Sequence, residues 1–102
     1  MFNFIKKLFG PGTDFKALTQ QGAVIVDVRS ENEFKSGHIK GAINIPLNTI
    51  QNKVKDLKKK GKPVITCCAS GMRSGSAVSI LKREGIEVYN GGGWASLNSK
   101  LN

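Results

Sequence analysis

The sequence predicts an α/β fold in which a mostly parallel central sheet of about five short strands carries helices on both faces. Strand-like and helix-like patterns alternate along the 102 residues, and this order is typical of parallel sheets. Residues 23–28 form an almost continuous apolar run, the pattern of a strand that is covered on both faces. Glycines follow several of the helical stripes, so the predicted elements are short and clearly bounded.

Four segments have the character of short strands. They are residues 23–28, 43–45, 62–66 and 86–89. Functional sites in parallel sheets lie beyond the carboxyl ends of the strands. We therefore expect the functional site among the residues that directly follow the third segment.

The helices are predicted from capping residues and from the spacing of apolar side chains. Thr13 can cap a short first helix that carries Phe15 and Leu18 inward. Residues 30–33, Ser-Glu-Asn-Glu, form a capping box for a helix of one or two turns. Three more stripes have helical spacing, namely Ile50, Val54 and Leu57, then Ala77, Ile80 and Leu81, then Trp94, Leu97 and Leu101.

Length and charge limit the kind of protein. We expect one domain at residues 13–102, preceded by an amphipathic arm at residues 1–12 that lacks the features of a secretory signal. No apolar run is long enough to span a membrane. Sixteen basic residues against seven acidic ones give a net charge of +9.

Six of the lysines lie in residues 53–62. This segment is either a solvated helix face or a surface that attracts an acidic partner. It lacks interleaved aromatic residues and any recognisable nucleic-acid motif, so we predict no nucleic-acid binding. We also expect no stable membrane association, because the N-terminal arm offers only about two helical turns and should bind a surface marginally. The two adjacent cysteines cannot form a disulfide framework, which favours a reducing cytoplasm.

The segment with the clearest chemistry is residues 67–74, Cys-Cys-Ala-Ser-Gly-Met-Arg-Ser. It places a thiol where a strand ends and a helix begins. Helix N-termini offer unpaired N–H groups to an anion, and cysteine pKa values fall at such places. Gly71 allows the loop to turn its N–H groups inward, and Arg73 adds a cation that can hold an oxyanion. These features together predict a cradle for a thiolate and an anion.

The two cysteines are expected to point to opposite faces of the sheet if the strand extends that far. We expect Cys67 to face the core and Cys68 to be the catalytic residue. The rest of the loop is the predicted substrate-binding set, Ala69, Ser70, Gly71, Met72, Arg73 and Ser74.

Three motifs resemble those of the rhodanese family, in the same order along the chain. The loop at residues 68–74 is similar to the family's Cys-x-x-Gly-x-Arg pattern. Asp-Val-Arg at 27–29 with Glu-Phe at 33–34, followed by residues 37–46, is similar to its first signature. Gly-Gly-Gly-Trp at 91–94 resembles its closing glycine-aromatic turn. The resemblance runs from about residue 13 to the C-terminus and implies the same sheet architecture.

The resemblance also selects Cys68, because the family's glycine follows its cysteine by three positions, as Gly71 does here. It implies a sulfurtransferase that moves sulfane sulfur from thiosulfate or a persulfide, through a Cys68 persulfide, to a thiol or cyanide. The predicted partners are a small anionic donor and a thiol acceptor. We expect a monomer without a cofactor or metal, and a structural role for Asp27, Arg29, Glu33 and His38 near the site.

Two other functions stay open at this point. Cys67 and Arg73 have the Cys-x5-Arg spacing of phosphatases and arsenate reductases, which would make Cys67 the nucleophile. That loop departs from the usual pattern, since Ser70 stands where a glycine is usual and Thr66 where a histidine is usual. A non-catalytic sulfur carrier or binding module is the other alternative.

Overall fold

The computed structural model describes residues 12–102, in which helices and strands alternate as the sequence predicts. The elements are α1 Phe15–Gln20, β1 Val24–Asp27, α2 Glu31–Ser36, β2 Ile43–Asn44, a 3₁₀-helix Leu47–Lys53, α3 Val54–Lys60, β3 Val64–Cys68, α4 Met72–Arg83, β4 Val88–Gly93 and α5 Trp94–Leu101. The predicted arm at residues 1–12 lies outside the described residues, apart from residue 12.

The sheet has the order β2-β1-β3-β4, and all of its strand pairs are parallel. The predicted α/β fold with a mostly parallel sheet is confirmed. Residues 12–102 contain four strands where the sequence predicted about five. β3 lies between β1 and β4, so its last residue, Cys68, is at the carboxyl edge in the middle of the sheet.

Helices cover both faces of the sheet, as predicted. On one face, Val26 and Val64 pack against buried residues of the 3₁₀-helix, α3 and α4. On the other, Ile25 and Ile65 pack against side chains of α1 and α5. Alternate residues of a strand point to opposite faces, so β3 contributes one of its cysteines to each core.

Strands β3 and β4 end later than the sequence predicts. β3 extends to Cys68, and β4 runs through the glycines at residues 91–93 that were interpreted as a turn. A Cβ atom on Gly91 would lie 2.8 Å from the Thr66 carbonyl oxygen, and one on Gly93 would lie 3.0 Å from that of Ala69. The missing side chains therefore let β4 lie directly against the end of β3, where Cys68 pairs with Gly93.

The helix caps agree with the sequence in one case and differ in another. Ser30 and Glu33 form the predicted capping box at the start of α2. The cap of α1 is Asp14, not Thr13, because the Asp14 carboxylate accepts a 2.9 Å hydrogen bond from the Ala17 N–H. None of the helices described in residues 12–102 combines the length and the apolar character that crossing a bilayer requires.

Candidate active site

The loop after β3 directs backbone N–H groups at the sulfur of Cys68. The Gly71 N–H donates to Sγ at 2.9 Å and the Ser74 N–H at 3.3 Å. Gly71 has a φ of 105°, a conformation that a side chain would strain, and the twelve-residue helix α4 begins directly after it. The sulfur thus lies at a helix N-terminus and inside a ring of donors, the arrangement that stabilises a thiolate.

The Ser74 hydroxyl is a further partner of the sulfur. It lies 3.4 Å from the Cys68 Sγ and is completely buried. As a thiol, Cys68 donates to the Ser74 oxygen. As a thiolate, it can accept the single hydroxyl hydrogen of Ser74, for which Asn90 Oδ1 at 2.7 Å and the Gly71 carbonyl oxygen at 3.0 Å are the other acceptors.

The environments of the two cysteines shift their pKa values in opposite directions. Burial raises the pKa of Cys68, but hydrogen bonds from Ser74, Gly71 and Ser70 lower it by more, so that it lies below its ordinary value. Burial, reinforced by the Asp27 charge, raises the pKa of Cys67 to about 12. Both thiols are buried, but Cys67 belongs to the opposite core and only the Cys68 sulfur accepts hydrogen bonds from the loop N–H groups, so the geometry favours Cys68 as the nucleophile over the Cys-x5-Arg alternative.

Asn90 in β4 belongs to the site, although the sequence did not single it out. Its Oδ1 accepts from the Ser74 hydroxyl and from the Gly92 N–H, and its Nδ2 donates to the Gly71 carbonyl. These contacts tie the cysteine loop to the last strand. In the sequence, the only indication of this role is that an asparagine directly precedes the glycines at residues 91–93. Its contact with Ser74, 16 positions earlier, forms only when the fold brings β4 beside the cysteine loop.

Arg73 is paired with Glu33 in a bidentate contact. Its two terminal nitrogens donate to the two carboxylate oxygens at 2.7 and 2.9 Å. The hydrogen bond from Arg73 lowers the pKa of Glu33 to about 2, with further help from Ser30. The predicted loop cation is thus neutralised by a residue 40 positions earlier, and the sequence did not predict this pairing.

Asp27 and Arg29 form the predicted structural network at the end of β1. Their side chains are 0% and 6% exposed and form a salt bridge with a closest distance of 2.7 Å. Arg29 also donates to the carbonyl oxygens of Glu33 and Gly37 and lies 4.8 Å from the ring centroid of Trp94. Each charge of this buried pair is hydrogen-bonded, so the pair holds the turn between β1 and α2 in place.

His38 has contacts typical of scaffold. Its ring stacks on Phe34 with centroids 3.7 Å apart, and Nδ1 donates to the Phe34 carbonyl oxygen at 2.7 Å. In residues 12–102, His, Cys, Asp and Glu side chains nowhere form a group of three that could hold a metal ion.

The fold is thus a parallel α/β domain with a cysteine held among N–H donors at the end of a central strand, an arrangement suited to a reactive thiolate. The Rhodanese-like domain family matches residues 12–100, and the chain belongs to this family. This confirms the resemblance that the three motifs indicated.

Known relatives include both uncharacterised proteins and sulfurtransferases. The chain is 40% identical over 81 residues to the uncharacterised protein YqhL of Bacillus subtilis. This alignment covers 78% of the chain and 64% of that protein. It is 32% identical over 74 residues to a tRNA sulfurtransferase of Thermoplasma acidophilum, covering 72% of the chain and 15% of that enzyme. The human single-domain sulfurtransferase TSTD1 superposes with a TM-score of 0.70 at 25% identity, covering 86% and 92% of the two chains.

Proposed function

We propose that the protein is a sulfurtransferase that carries sulfane sulfur as a persulfide on Cys68. The observation that carries this proposal is the set of donors around the Cys68 sulfur, with the Gly71 and Ser74 N–H groups at 2.9 and 3.3 Å. Membership of the rhodanese-like family and the sulfurtransferases among its relatives support it. Cytoplasm is the compartment we propose, because a free thiol works in reducing surroundings.

In the first half-reaction, the Cys68 thiolate attacks the outer sulfur of the donor. With thiosulfate, a sulfur–sulfur bond forms at Cys68, the donor's sulfur–sulfur bond breaks, and sulfite leaves with the electron pair. With a persulfide, a thiolate leaves instead. The N–H groups around Sγ stabilise negative charge on the enzyme, and neither step needs a protein general base.

In the second half-reaction, an acceptor thiolate or cyanide attacks the outer sulfur of the Cys68 persulfide. The acceptor leaves as a persulfide or thiocyanate, and the Cys68 thiolate is regenerated. Only 1% of Cys68 is exposed, so a donor or acceptor must reach the sulfur along the open side of the loop with its reacting atom first. The donor and acceptor thus meet the same sulfur in turn, which predicts ping-pong kinetics.

The test is mass spectrometry of protein treated with thiosulfate or an alkyl persulfide, together with turnover assays. We expect the wild type and Cys67→Ser to gain one sulfur atom and pass it to a thiol, and Cys68→Ser to gain none. The two variants are a matched pair, since each replaces one buried thiol by a hydroxyl. Absence of a gain in the wild type, or a gain on Cys67, contradicts the proposal. Sulfur uptake without transfer to any acceptor indicates a carrier instead.

A further inference from the structure

The Cys68 loop has no uncompensated positive side chain in the described structure. Arg73 is the only charged residue in residues 68–74, and both of its terminal nitrogens are engaged by Glu33. The two side chains are 39% and 38% exposed, so the pair lies at the rim of the site, where water screens it only in part. An anion that approaches Cys68 meets N–H dipoles and a neutral ion pair.

Arg29, the buried arginine at the end of β1, is compensated in the same way. It is paired with Asp27 in the interior. The largest local excess of positive charge along the sequence is in residues 53–62, on the segment that contains α3. The net charge of +9 therefore does not translate into a cationic loop around the reactive sulfur.

Beside Arg73 lies an open surface groove of about 320 Å³ with mainly apolar walls. It is lined by Val28, Ser30, Pro46, Leu47, Asn48 and Arg73. Arg73 is the only charged residue in this lining, and its charge is matched by Glu33. Such a groove suits an uncharged organic group better than a sulfonate, because a charged group that lies against apolar walls loses part of its solvation.

We propose that Glu33 is a specificity-determining residue: by neutralising Arg73, it makes the site favour alkyl persulfides over doubly charged thiosulfate. This inference rests on the sulfurtransferase function proposed above. The step is attack of the Cys68 thiolate on the outer sulfur of R–S–SH, which forms the Cys68 persulfide and releases R–S⁻. The organic group R lies along the groove beside Arg73.

The first experiment measures the local potential without any sulfur donor. Cys68 is alkylated by anionic iodoacetate and by neutral iodoacetamide, in a Cys67→Ala background, at a pH where the thiol is fully ionised. Glu33→Gln removes the negative charge but keeps an oxygen that can accept the capping hydrogen bond from the Ser30 N–H. We expect the iodoacetate-to-iodoacetamide rate ratio to rise by about twofold to tenfold.

Three further variants make this result specific. Glu31 lies in the same helix as Glu33, and its carboxylate pairs with Lys35. Glu31→Gln should therefore leave the rate ratio unchanged. Arg73→Gln leaves Glu33 unneutralised and should lower the ratio, whereas the double variant should return it to near the wild-type value. An unchanged ratio in both single variants, or a rise that persists in the double variant, overturns the inference.

The second experiment compares sulfur transfer from thiosulfate and from an alkyl persulfide. Glu33→Gln should raise kcat/KM for thiosulfate relative to the persulfide, and added salt should reduce this gain. If alkylation responds as expected but no variant transfers sulfur, the proposed function fails and the electrostatic role of Glu33 stands. If all variants transfer sulfur with the wild-type donor preference, the specificity inference fails and the proposed function stands.

Discussion

The buried hydroxyl of Ser74 is the side chain through which the protein can tune the Cys68 thiol. We predict that Ser74→Ala raises the pKa of Cys68, because the thiolate loses one of its hydrogen-bond donors. A hydrogen bond to a charged group contributes about 1.5–3 kcal/mol, which corresponds to a rise of about one to two pKa units. The measurement is the pH dependence of the iodoacetamide rate, whose midpoint should move upward.

Ser76→Ala is the matched control for this prediction. Ser76 lies in the same helix, is exposed, and directs its hydroxyl at the Met72 carbonyl rather than at the sulfur. Its replacement should leave the midpoint where it is in the wild type. An equal shift in both variants would mean that loss of helix stability, not loss of the hydrogen bond, changes the thiol.

The local sequence pattern predicted the orientation of individual side chains but not their long-range contacts. The alternation of a strand was enough to place the two cysteines on opposite faces, and the structure has this arrangement. The Arg73–Glu33 pair joins residues that are 40 positions apart in the sequence. The Asn90 contacts with Ser74 and Gly71 join residues that are 16 and 19 positions apart. No periodicity in the chain records such pairs, because they exist only after the strands are ordered in the sheet.

The close approach of β4 to β3 makes Gly91 the most constrained position among the elements. We predict that Gly91→Ala destabilises the protein, because the new Cβ would lie 2.8 Å from both Leu97 Cδ2 and the Thr66 carbonyl oxygen. Overpacking of this kind costs about 1–3 kcal/mol. Urea unfolding should show a lower midpoint.

Gly75→Ala provides the comparison, because it adds the same methyl group inside α4. Its nearest neighbour would be Asn90 Nδ2 at 3.4 Å, an ordinary contact, and alanine favours a helix over glycine by about 1 kcal/mol. We expect its urea midpoint to equal or exceed that of the wild type. A Gly91→Ala midpoint at or above the Gly75→Ala value would show that β4 can move away from β3.

The elements themselves were predictable where one face is apolar and less so where glycine replaces side chains. Helix α5 begins at Trp94 and ends at Leu101, which are the ends of its predicted stripe. Strand β4 was predicted to end at Tyr89, because glycine usually marks a turn, yet it continues to Gly93. The last residues of β4 can pair with β3 because glycines have no side chain to collide with the β3 backbone. This requirement comes from the neighbouring strand and is not visible in the local sequence of β4.

For the molecule as a whole, the excess of basic residues sets the behaviour in acid. As carboxylates become protonated, the positive charge grows and the folded state repels itself increasingly. The few acidic residues that are paired in the folded state therefore matter for acid stability. Glu33 is one of them, since its carboxylate joins the capping of α2 to the first turn of α4.

We predict that Glu33→Gln makes stability less dependent on pH in acid. The pKa of Glu33 is about 2 in the folded protein and 4.5 ordinarily, so its stabilisation is complete above about pH 4.5 and is lost as the pH falls towards 2. Urea unfolding across this range should give a shallower decline for Glu33→Gln than for the wild type.

Glu31→Gln, which removes an exposed partner of Lys35, should keep the wild-type decline. Added salt should bring the Glu33→Gln and wild-type curves closer, because it screens a pair at the surface. Parallel curves for all three proteins at low salt would mean that the Arg73–Glu33 contact does not persist in solution.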